Sequence, residues 1–135
     1  MTYRRAVFSF PEKFIGAIDQ PEVASIECTK WFSDWLQSCD SVSLVSGPIQ
    51  EDFGVAFKLR VDGYRFWVGL SWIDENRWLV SVHHGDGTIL QRVLPSGRHG
   101  YQRLVDCLDW SIRSNVQVSD LSWFASNEPI PSKHN

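Results

Sequence analysis

Between Gly54 and Gly85 large apolar residues recur with a period of two on either side of expected turns. The segments "GVAFKLRV" and "YRFWVGLSW" flank Asp62-Gly63, a pair suited to a type I′ turn, in which both central residues take positive φ. A two-residue turn fixes the register. Val61 then faces Tyr64, Leu59 faces Phe66, Phe57 faces Val68 and Val55 faces Leu70, so these residues share one buried face. The opposite face carries Arg60 across from Arg65, Lys58 across from Trp67, and Ala56 across from Gly69. Directly opposed arginines repel mildly, and folding alone does not ask for them.

The same parity argument extends to "WLVSVHH". Trp78, Val80 and Val82 reach the core side only if Trp72 pairs with Trp78 across the five residues "IDENR", or across an equivalent bulge. His83 then falls beside Trp67 on the outer face, and His84 turns inward or ends the strand.

Elsewhere the period changes. "YRRAVFSF" reads as a short strand closed by Pro11. From Pro21 to Cys39, Val23, Ile26, Cys28, Trp31, Phe32, Trp35, Leu36 and Cys39 form one broad helical stripe, with Glu22 and Glu27 near the positive end of the dipole. "SVSLVSG" has strand texture that Gly47-Pro48 interrupts, and "TILQRVL" predicts a further strand. "PSGRHG" reads as a loop. It leads into a second helix, "YQRLVDCLDWSIRSN", with Tyr101, Leu104, Val105, Leu108 and Ile112 on one side. "DLSWFA" is a short closing element that packs Leu121 and Phe124, and residues 126–135 read as a flexible tail. The expected architecture is a single α+β domain over residues 1–125. It is a two-layer sandwich, an antiparallel sheet of about five strands with two helices on one face.

Composition narrows the class. A chain of 135 residues with 43% hydrophobic and 21% charged residues is a folded single domain. Its net charge of -3 argues against nucleic-acid binding driven by overall charge. No run approaches ~18 apolar residues, and the start "MTYRRAVFSFPEKF" lacks the apolar segment of a secretory signal, so a cytoplasmic protein with no membrane partner is expected. Three cysteines, none spaced as CxxC, read as small hydrophobes in or near the core. Seven tryptophans are many for this length and favour an interface that uses one or two of them.

Catalytic signatures are lacking. His83, His84, Asp86 and His99 are competent metal ligands, but adjacent strand residues point to opposite faces, so His83 and His84 do not share a metal. There is no GxSxG elbow, and the carboxylate pairs Glu51-Asp52 and Asp74-Glu75 read as solvated turn residues. "PSGRHG" before a helix could attract an anion, but it lacks GxGxxG and GxxxxGK[ST]. Neither cofactor nor metal is implied.

The outer face of the hairpin therefore carries the functional signal. Lys58, Arg60, Arg65, Trp67 and His83 form a basic surface around one large aromatic. It could be an ordinary solvated face, a protein-binding face anchored by Trp67, or a single-stranded nucleic-acid platform. One aromatic and the net charge weigh against the last. A symmetric homodimer could also cover the face. The acidic residues Glu22, Glu27, Asp34, Asp40, Glu51, Asp52, Asp74 and Glu75 offer a competing surface for a basic partner.

The pattern of "SLVSGPIQEDFGVAFKLRVDGYRFWVGLSWIDENRWLVSV", within residues 41–84, resembles small bacterial immunity-type proteins encoded beside toxins or secreted effectors. The resemblance implies a compact non-enzymatic α+β domain that binds and occludes one protein partner; it assigns no site residues. A secretion chaperone for an effector client is a neighbouring expectation. An enzyme with a cryptic site, bringing His83, His84 or His99 together with carboxylates in a pocket, is the contrasting one.

Overall fold

The computed structural model describes residues 3–10, 34, 36, 39–51, 54–74, 77–85, 95–116 and 118–131. The described elements are β1 (Arg4–Ser9), β2 (Val42–Glu51), β3 (Gly54–Val61), β4 (Tyr64–Asp74), β5 (Arg77–His84), α1 (Pro95–Arg113) and β6 (Ser119–Ala125). The strands form one six-stranded sheet in the order β2-β3-β4-β5-β1-β6. Every pair is antiparallel. Where about five strands were expected, six are described, because "DLSWFA" pairs along β1 with one register shift between Val7 and Ser9.

The observed register of β3 and β4 is the one that the Asp62-Gly63 turn dictates, from Val55 opposite Leu70 to Val61 opposite Tyr64. Asp62 and Gly63 take φ of 54° and 82°, as a type I′ turn requires. Trp72 pairs with Trp78, and the register shifts between Trp72 and Asp74. Gly47-Pro48 does not end β2. The strand runs through it as an edge strand, with register shifts between Leu44 and Ser46 and between Ser46 and Ile49. Proline is tolerated there because an edge strand has an unpaired side.

α1 lies on the inner face. Leu104, Val105, Leu108 and Ile112 pack with Phe57, Leu59, Phe66, Val68, Val80 and Val82 in one apolar cluster. Each fully buried side chain of this size contributes roughly 1.5–3 kcal/mol. The helix begins at Pro95, so "PSGRHG" is its first turn and a half and not the expected loop. Proline suits that position because a first-turn N–H has no intrahelical acceptor to lose. Gly97 and Gly100 are buried, and Gly100 lies against Phe66 of the sheet.

The predicted helix from Pro21 to Cys39 lies outside the described residues, apart from Asp34 and Leu36, which are helical, and Cys39, which follows. Leu36 is buried in the same core. "TILQRVL" also lies outside them. Cys39 and Cys107 are joined by a disulfide, with Cα atoms 6.3 Å apart, inside the usual span for bridged cysteines. This corrects the sequence reading, in which the odd cysteine count concealed a pair brought together by folding.

Residues 126–131, expected within a flexible tail, turn back along the outer face. The Ser126 N–H donates to Tyr3 O, the Arg5 guanidinium donates to the carbonyls of Ala125 and Glu128, and Arg77 donates to Pro131 O at 2.8 Å.

Candidate functional site: the outer face of the sheet

The outer face is built from cross-strand rows. One row runs from Ser46 of β2 to Lys58, Trp67 and His83, and Tyr3 lies against His83 at the end. Trp67 and His83 stack with ring centroids 3.8 Å apart and planes 10° apart, and Tyr3 follows at 4.1 Å and 37°. The next row holds Ser43, Arg60 and Arg65. It ends at Gly85, whose N–H donates to Arg65 O at 2.9 Å. A Cβ on Gly85 would come within 2.7 Å of that oxygen, so the strands approach closely only because no side chain stands there.

Exposure divides the predicted residues. Lys58, Arg60 and Arg65 are exposed, whereas Trp67 and His83 are half-buried against each other. The hairpin that presents them is braced from the inner side. Asp62 accepts from Arg103 of α1 at 2.8 Å, and the Tyr64 and Ser96 hydroxyls hydrogen-bond.

His83 does not add charge at neutral pH. Burial, and secondarily the nearby His84, lower its pKa to about 4. The surface is thus an aromatic stack flanked by Lys58, Arg60 and Arg65, and His83, expected among the basic residues, belongs to the stack. His84 points inward and stacks on Tyr101 at 4.5 Å and 13°. The Tyr101 hydroxyl donates to Val82 O at 2.7 Å and accepts from the Arg4 N–H at 2.8 Å, while burial raises its pKa. The two histidines therefore lie on opposite faces, as strand geometry requires. His99 is exposed on α1. Among the described residues no group of three or more His, Cys, Asp or Glu side chains is arranged to hold a metal.

Sequence reasoning missed Tyr3. Its place beside His83 follows from β1 lying against β5, a long-range pairing with no local signal. It also missed Trp110, 62% exposed on α1. That position was legible, since Trp110 falls off the stripe of Leu104, Val105, Leu108 and Ile112. Of the acidic candidates, Asp34 and Asp40 are exposed. Glu22, Glu27, Asp52 and Glu75, and the side chains of Glu51 and Asp74, lie outside the described residues.

A cavity of about 190 Å³ opens at the far end of the outer face, where Val7, Ser122 and Phe124 meet Ile130 and Pro131. Phe124 thus lies on the outer side, whereas Leu121 and Trp123 pack against the core. No described helix is long and apolar enough to cross a membrane. Comparison with protein families, with curated proteins and with solved structures finds no match.

Proposed function

We propose that this chain is a non-enzymatic protein-binding domain that docks an acidic partner surface on the outer face of β3, β4 and β5. The observation that carries this reading is the Trp67–His83–Tyr3 stack, flanked by exposed Lys58, Arg60 and Arg65. Tryptophan, tyrosine and arginine are the residues that most often dominate binding energy at protein interfaces. Here the aromatic centre is preorganised, so little side-chain freedom is lost on docking.

The stacking also favours protein over single-stranded nucleic acid. His83 lies between Trp67 and Tyr3, so its ring planes are already engaged and do not receive a base. The exposed cations around the stack suit carboxylates.

That the partner is a bacterial toxin or effector, occluded in immunity-type fashion, rests on the pattern of residues 41–84. We also read the segment up to Cys39 as a second helix on the inner layer, supported by the helical Asp34 and Leu36 and by the burial of Leu36.

The test is affinity capture from the native host with tagged wild type and Arg60→Glu, both shown to be folded by circular dichroism. A stoichiometric partner retained by wild type and lost by Arg60→Glu supports the reading. Equal retention by both moves the interface off this face.

A further inference from the structure

Cys39 and Cys107 take no part in the outer face, yet their bond is placed to act on the sheet. Cys39 sits at the junction between the turn carrying Leu36 and the start of β2. Its N–H donates to Leu36 O and its carbonyl accepts from the Val42 N–H, each at 3.2 Å. Only Asp40 and Ser41 separate it from the strand. Cys107 projects from the middle of α1. The Cys39 sulfur also lies 3.4 Å from the hydroxyl of Ser111, one helical turn further along and itself buried.

The strand that follows lies at one of the two edges of the described sheet. Among the described strands β2 pairs with β3 alone, and its register slips twice. Leu44 and Val45 are 38% and 49% exposed. Elements with exposed hydrogen bonds and few apolar contacts open first. A covalent tie three residues before β2 acts where opening would begin.

We propose that Cys39–Cys107 is a reversible thiol–disulfide site: oxidation clamps the start of β2 to α1, and reduction releases that edge. Both cysteines are half-buried, within reach of a small reagent. With glutathione disulfide as oxidant, one cysteine thiolate attacks the reagent and expels one glutathione thiolate, leaving a mixed disulfide. The second cysteine thiolate attacks the protein sulfur of that mixed disulfide and expels the other glutathione. The two protein thiols lose two electrons and two protons, and the reagent leaves as two thiols. A reducing compartment opens the pair and an oxidising one keeps it closed.

The experiment uses the full chain carrying Cys28→Ser, which removes the third thiol. Protein treated with glutathione disulfide, and the same protein after dithiothreitol, are alkylated with iodoacetamide and weighed intact. Amide exchange over residues 42–46 is measured in both forms. The expected result is no alkyl group on the oxidised form, two on the reduced form, and at least tenfold faster exchange in 42–46 after reduction. Two alkyl groups on the oxidised form overturn the site, and unchanged exchange overturns the clamp. Should Cys28→Ser fail to fold, fragment mapping of the linked peptides in wild type decides the pairing, and a bond involving Cys28 overturns it. These readouts need no binding partner, so they stand or fall separately from the proposed docking face.

Discussion

The outer face of this sheet is two surfaces made from the same residue types. On the β1–β6 side, Arg5 and Arg77 are turned into structure: their guanidinium groups donate to the backbone carbonyls of Ala125, Glu128 and Pro131 and hold the chain's own tail in place. On the β3–β4 side, Lys58, Arg60 and Arg65 are exposed around a preformed aromatic stack. The difference teaches that an arginine on a sheet face says nothing by itself. Its meaning depends on whether the fold supplies carbonyls to receive it.

Substitutions can break this contrast, and the largest effect is expected on the tail side. Arg5→Ala removes the hydrogen bonds to Ala125 and Glu128 and should destabilise the fold by about 3 kcal/mol in urea unfolding, since bonds to charged groups contribute roughly 1.5–3 kcal/mol each. Partner binding by the folded fraction should be unchanged.

Trp67→Ala comes next. Because Trp67 is half-buried on His83, its loss should reduce stability by about 1–2 kcal/mol and weaken partner binding by ~2 kcal/mol or more. Titration calorimetry alongside thermal melts separates the two losses. A full loss of stability without loss of affinity would make Trp67 a purely structural residue.

A subtler expectation concerns pH. Unfolded His83 takes up a proton near pH 6.5, whereas in the fold it stays neutral down to about 4. Below 6.5 the unfolded state therefore binds more protons. The stability contributed by neutral His83 is complete above about pH 6.5 and is lost as pH falls toward 4. His83→Gln should flatten that slope, and NMR titration of the His83 ring should give the low midpoint directly.

The smallest effect sharpens the comparison most. Arg60→Glu should change stability by no more than about 0.5 kcal/mol, because the side chain is exposed and its cross-strand neighbour is Arg65. Its affinity for an acidic partner should nevertheless fall at least tenfold.

How much of this was legible in the sequence depends on the range of the interaction. The β3–β4 hairpin could be read residue by residue, because a two-residue turn and large apolar residues at every second position leave one register. The pairing of Trp72 with Trp78 followed from the same parity. The start of α1 was misplaced because the glycines of "PSGRHG" imitate a loop; in the fold both are buried, and Gly100 faces Phe66 and Val61 of the sheet, where small size permits close packing. Tyr3 beside His83, the returning tail and the Cys39–Cys107 bond all require knowing which distant elements are neighbours. No local pattern carries that information.

The position of β1 has a consequence for how the molecule is made. Tyr3 and Ser126, 123 residues apart, hydrogen-bond to each other, and β1 lies between β5 and β6. During synthesis the meander from β2 to β5 can pair each strand with the one just before it. The segment Ala6–Phe8, buried in the finished fold, emerges early and must wait, first for β5 and then for β6. Loop closure over such distances is slow, and an unpaired apolar strand is exposed to aggregation meanwhile. Insertion of β1 should be the late step that closes the sheet, so a nascent chain truncated before Ser119 would present this strand with one neighbour missing.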